Sequence, residues 1–102
     1  MQIIKDLASY IDEELGDSQK YIKKALCHKD DNLQLAQLFY QLSLEEMDHM
    51  NRLHNEVVKI IAKHKESGAK APEGMELAYQ ILHEKAIDWA KEIKVMQQMF
   101  RE

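Results

Sequence analysis

Between Leu35 and Ile60 this chain sets a bulky apolar residue at almost every third or fourth position: Leu35, Phe39, Leu42, Leu53, Val57 and Ile60. Glu46 and His49 fill the two places in between. Steps of three and four keep residues on one face of an α-helix, so the segment reads as helix and not as strand. The pattern begins near Asp31, where Asp31 and Gln34 resemble a capping box, and continues to about Lys65. It stops at Ser67-Gly68, where glycine can take the left-handed conformation that ends helices. At ~1.5 Å per residue such a helix spans on the order of 50 Å. A rod of that length buries its stripe only against other helices.

The rest of the chain supplies them. A first helical pattern covers about Gln2 to Leu26, with Ile4, Leu7, Ile11, Glu14, Ser18, Tyr21 and Ala25 on one stripe. Gly16 inside it either permits a close helix approach or sits harmlessly on the surface, at a cost of about 1 kcal/mol against Ala. Pro72 suits the first turn of a third helix, with Glu73 and Glu76 near its positive end. That helix carries Met75, Ala78, Leu82, Ala86, Trp89, Ile93, Met96 and Phe100 on one face, with Trp89 as its central anchor. Three glycines and one proline in 102 residues leave little for a turn-rich β fold. The expectation is one all-α domain, residues 1–102, of three helices running up, down and up. The second helix outlasts the first, and self-association would cover its end.

Composition excludes several classes. A net charge of −4 argues against a nucleic-acid surface. Cys27 stands alone, so neither an internal disulfide nor a thiol zinc motif is available. The start of the chain lacks a signal-peptide apolar region, and no apolar run reaches the ~20 residues of a membrane span. A cytoplasmic protein is the expectation.

Glu46 and His49 then become the informative residues. Glu-x-x-His on an inward helix face is the spacing by which helical bundles hold iron or manganese. On the first helix, Glu14 occupies the apolar stripe in the same anomalous way. If the turn centres near Asp30, Glu14 and Glu46 lie equally far from it along antiparallel helices, which brings them level. Tyr21 then falls level with Phe39. Two buried carboxylates at contact distance repel unless a proton or a cation intervenes. A metal ion removes the conflict; the bland alternative is neutralisation by protonated His49 and by hydroxyls such as Ser18. One chain offers three ligands, half of a carboxylate-bridged di-metal set, and Glu84 and Asp88 on the third helix form no second Glu-x-x-His. A two-fold dimer would complete the set.

These residues resemble the ferritin-like superfamily, especially its rubrerythrin-type and encapsulated-ferritin-like branches. The matching pattern is Glu14, then Tyr21 seven residues on, then Leu38-Phe39 leading to Glu45-Glu46-Met47-Asp48-His49, over roughly residues 7 to 57. The resemblance implies an antiparallel helical hairpin plus a third helix, completing a four-helix bundle by dimerisation. It implies a di-iron site (Fe2+/Fe3+, with manganese or zinc as substitutes) held by Glu14, Glu46 and His49, with Tyr21 in a supporting catalytic role. The chain departs from full rubrerythrins and ferritins, which carry a second Glu-x-x-His pair, and it lacks the cysteine pairs of a rubredoxin centre. It is closer to the encapsulated half-bundles, although Gln97–Glu102 resembles no encapsulin-targeting tail and the third helix is longer than theirs. The activity implied is oxidation of Fe(II) at a site shared between subunits of a homodimer or higher homo-oligomer, in the cytoplasm or inside a protein nanocompartment. The alternatives are a metal-free helical interaction module and a rubrerythrin-like peroxide scavenger. Neither nucleic acid nor membrane is an expected partner.

Overall fold

Helix α1 spans Gln2–His28, α2 Leu33–Glu66 and α3 Met75–Arg101. They come from a computed structural model in which residues 2–68 and 75–102 are described. The expected roles of Pro72 and Glu73 lie outside the described residues, as do the side chains of Met75, Glu76 and Ala78. No strand occurs among the described residues, and no helix is long and apolar enough to cross a membrane.

The α1–α2 turn is built one residue later than the capping-box reading. Asn32, not Asp31, caps α2: its side chain accepts a hydrogen bond from the Leu35 amide at 3.2 Å. Asp31 instead pairs with Nδ1 of His28 at 3.2 Å. Asn32 also closes α1, since its amide donates to the His28 carbonyl at 2.9 Å. At the far end the expected stop holds: Gly68 adopts φ +74° and its amide donates to the Lys65 carbonyl.

Antiparallel packing of α1 on α2 is pinned by a pair of buried serines. Ser18 Oγ donates to the Ser43 carbonyl and Ser43 Oγ donates to the Ser18 carbonyl, each at 2.8 Å. From α3, Gln97 Nε2 donates to Ser43 Oγ at 3.1 Å, so one polar knot ties all three helices. Around it lie the fully buried Leu15, Ile22, Ala25, Ala36, Val57 and Ile93. Helix α3 runs parallel to α1, with Trp89 against Gly16 and its Nε1 donating to Gln19 Oε1 at 3.2 Å. At its C-terminal end Phe100 stacks on Tyr40, ring centroids 4.7 Å apart. Near its beginning Tyr79 joins the core, as does Ile61 on the end of α2 that outruns α1.

On α2 the inward face is rotated from the expected stripe by about one residue, while α1 and α3 keep part of theirs, Ile11, Ser18 and Ala25 on α1 and Ile93 and Phe100 on α3. On α2 the buried positions are Ala36, Ser43, Met47, Met50 and Val57; of the expected stripe only Val57 is among them. On α1 they are Ile11, Leu15, Ser18, Ile22 and Ala25, with Glu14 and Tyr21 on the border. On α3 Ile93 and Phe100 are buried as expected, Ala90 and Gln97 are buried beside them, and Leu82 is half exposed. The cause is that the centre of this bundle is filled with small and polar residues, which allow close helix approach and which a search for large apolar side chains passes over.

Candidate metal centre

Positions 9, 12, 16 and 19 of α1 turn toward α3, and positions 10, 14 and 21 lie on the opposite side of the helix. Glu14 and Tyr21 thus face the groove between α1 and α2 that α3 leaves open. On α2 the same groove is bordered by Leu35, Phe39, Leu42, Glu46, His49 and Leu53, the stripe that sequence periodicity placed in the core. It is a second, half-buried face. Ile3, Tyr10 and Leu38 extend it toward solvent, 49%, 50% and 54% exposed.

In that groove the three expected ligands converge. One ligand atom from each of Glu14, Glu46 and His49 can be chosen so that all lie within 4.8 Å of one another. His49 Nδ1 stands 3.6 Å from Glu14 Oε2 and 3.8 Å from Glu46 Oε2. Donors bound to one divalent ion at ~2.1 Å are at most about 4.2 Å apart, so small side-chain rotations suffice to close the set on an ion. The side chains of Glu14 and Glu46 are 25% and 20% exposed and that of His49 is 49% exposed, which corrects their expected full burial.

Electrostatically the cluster is short of positive charge. Glu46 takes up its proton more readily than an ordinary carboxyl. A hydrogen bond that its protonated form can make to Glu14 is the main cause, followed by burial and by the charge of Glu14; His49 opposes the shift. Glu14 Oε2 is sealed from solvent yet has no hydrogen-bond partner. Ser18, the hydroxyl expected to help satisfy these carboxylates, is committed to Ser43. An acceptor-rich pocket edge with one orphaned oxygen and one exposed imidazole fits a hard-to-borderline divalent cation. One chain fills three coordination positions at most with one atom from each residue.

Tyr21 stands two helical turns from Glu14, about 10 Å along the axis. Its ring stacks on Phe39 at 6.2 Å, the level that the hairpin register predicts, and Phe39 in turn stacks on His28 at 6.3 Å. The structure gives Tyr21 no contact with Glu14, Glu46 or His49 within the chain. Glu84 and Asp88 are exposed on α3 and outside the cluster. Glu45 and Asp48 face solvent, Asp48 pairing with Arg52 at 3.0 Å. Sequence reasoning missed Ser43 and Gln97, which set the helix register beneath the site. The only signal was a polar residue one turn from a core apolar one, Ser43 from Met47 and Gln97 from Ile93.

The chain matches no protein-family model, and no curated protein or solved structure is significantly similar to it.

Proposed function

We propose that this chain is a ferritin-like di-iron protein that oxidises Fe(II) to Fe(III) at a site assembled between two copies. The observation that carries the reading is the convergence of Glu14, Glu46 and His49 in the one groove of the hairpin left open by the third helix. A second hairpin docked there by a two-fold axis would cover Tyr10 and Leu38 and bring a second copy of each ligand. Four carboxylates and two imidazoles would then surround two metal positions, the composition of a carboxylate-bridged bundle site.

Fe(II) is the substrate. With dioxygen as oxidant, two Fe(II) give up one electron each, and dioxygen takes both electrons with two protons to leave as hydrogen peroxide. Carboxylates favour the product because their charge stabilises the ferric ion more than the ferrous one. Glu14 would bridge, since it lies across the hairpin from the other two. Glu46 and His49 would hold the ion from α2, in competition with the proton that Glu46 takes up more readily than an ordinary carboxyl. His49 contributes a neutral donor that limits the negative charge of the site. Its exposure gives the ion a way in from solvent.

One observation favours a second reading, a metal-free interaction module: His49 Nδ1 already lies within ion-pair distance of both carboxylates. The two readings separate in one experiment. Protein loaded anaerobically with Fe(II) should hold two irons per dimer by metal analysis combined with solution mass, and should oxidise them on exposure to air. A folded chain that retains no iron favours the module. A monomer that binds two irons tightly overturns the shared site.

A further inference from the structure

On the flank away from Glu14, Glu46 and His49, α1 and α3 stand apart over a floor contributed by α2, leaving a cleft of about 490 Å³. None of the three proposed ligands lines it. The hollow exists because small residues face each other across it, Ala8 and Ser9 on α1 and Ala86 and Ala90 on α3. Ile11 and Met50 make the buried part of its wall apolar. Both size and lining are those of small-molecule sites, which are mostly apolar with a few placed polar groups and measure about 300–1,000 Å³.

The polar groups are unevenly charged. Lys5, Lys91 and Lys94 border the cleft, against Asp12 alone. This local excess of positive charge runs counter to a chain of net charge −4. Lysine stems lie along apolar surface and keep the ammonium at its edge, which suits a ligand with an apolar body and an anionic head. On the α2 side His54 presents an Nε2 that is sealed from solvent and has no hydrogen-bond partner. Its ring stacks on His83, centroids 4.9 Å apart and planes 12° from parallel, and Tyr79 extends the stack. Burial, and next the charge of His83, hold His54 below the usual histidine range, so its ring is neutral at physiological pH.

That stack argues against a metal. Ring nitrogens bind an ion about 2 Å away in the ring plane, and two nearly parallel rings direct those lone pairs along parallel lines that do not meet. A compact inorganic anion would leave the apolar wall unused, and a neutral hydrocarbon would leave the lysines unused. We infer that the cleft binds a small, free amphipathic carboxylate, its hydrocarbon body against Ala8, Ile11, Met50 and Ala90 and its head held by Lys91 and Lys94. The site shares no residue with the proposed iron centre, and each stands without the other.

Octanoate is a suitable probe. Titrated into the full chain and followed by long-range proton–nitrogen spectra of the imidazoles, it should shift the His54 and His83 signals saturably while leaving those of His28 and His49 in place. Octanol, with the same tail and no charge, should bind at least about tenfold more weakly, and so should octanoate to the Lys91→Glu/Lys94→Glu variant. Ser9→Trp, at an exposed position on the cleft wall, should abolish binding with helix content unchanged. The inference is overturned if His54 and His83 signals do not respond to octanoate. It is also overturned if octanol binds as well, or if neither the lysine reversal nor Ser9→Trp weakens binding.

Discussion

Replacing Glu46 with Gln relieves the metal-free fold of a charge and deprives the metal-bound form of a ligand, so one variant tests the site in two directions. In the wild type, the hydrogen bond that protonated Glu46 can make to Glu14, then burial, then the charge of Glu14 raise Glu46 above its ordinary value of 4.5. A carboxyl whose pKa is higher in the folded than in the unfolded chain binds its proton better when folded. Its contribution to stability is complete below the unfolded value and is lost as pH climbs through the folded one. Metal-free wild type should therefore lose stability in a window that opens near 4.5 and extends through the raised value, and Glu46→Gln should keep that share. Since the Glu46 side chain is 20% exposed and His49 offsets part of the repulsion, the advantage at neutral pH is of the order of a partly exposed charge pair. That is about 0.5–1 kcal/mol, or about 2–8 °C in Tm. A redox-inert divalent cation at a hundredfold excess over Kd should add about 2.7 kcal/mol to the wild type. The variant should lose most of that gain, so the order of stabilities reverses. Thermal unfolding by circular dichroism, with chelator and then with metal, from about pH 4 to 8, reads both effects. Equal metal-free stability of the two proteins at every pH would refute the raised affinity of Glu46 for its proton. An undiminished metal-induced gain in the variant would remove Glu46 from the ligand set.

Three other outcomes follow from the packing. Gly16→Ala should raise stability by about 1 kcal/mol, because the added Cβ would meet the Trp89 ring at an ordinary 3.8 Å; a lower Tm would show that α3 needs the glycine. Ser43→Ala should cost about 1–3 kcal/mol by leaving the Gln97 amide without its buried acceptor, and adding Gln97→Leu should recover part of it in urea titrations. Tyr10→Lys with Leu38→Lys, on the half-exposed groove, should leave monomer helix content intact while light scattering shows loss of the proposed dimer and the proposed iron oxidation stops. An active, paired double variant would place the interface elsewhere.

The hairpin was legible from sequence because its turn is short and both helices are regular: Glu14 and Glu46, Tyr21 and Phe39 come level as counted from Asp30. The convergence of Glu14, Glu46 and His49 followed from that count. Which face is buried was less legible. A reading by large apolar residues finds the Leu35–Leu42–Leu53 border, because the true centre of α2 is carried by Ala36 and Ser43, whose small volume lets α1 approach. The same bias hid the roles of Gln97, His54 and His83, polar residues that only a third helix brings together with α2. Helix-cap chemistry slipped by one residue because Asp31 and Asn32 both suit a cap, and the ion pair with His28 takes the aspartate.

Apolar contacts between two long helices are nearly interchangeable from one turn to the next, so they resist sliding only weakly. The reciprocal serine bonds have a single matching position. They sit one turn from Glu14 and one turn from Glu46, close enough for any slip to reach the site undiminished. A one-turn slide would carry the carboxylates about 5.4 Å past each other, farther apart than a single ion can bridge. Two hydroxyl groups that touch no ligand thus act as the index mark of the hairpin. The leucines around them can be exchanged for one another at modest cost, but the tolerance of the whole site is fixed at Ser18 and Ser43.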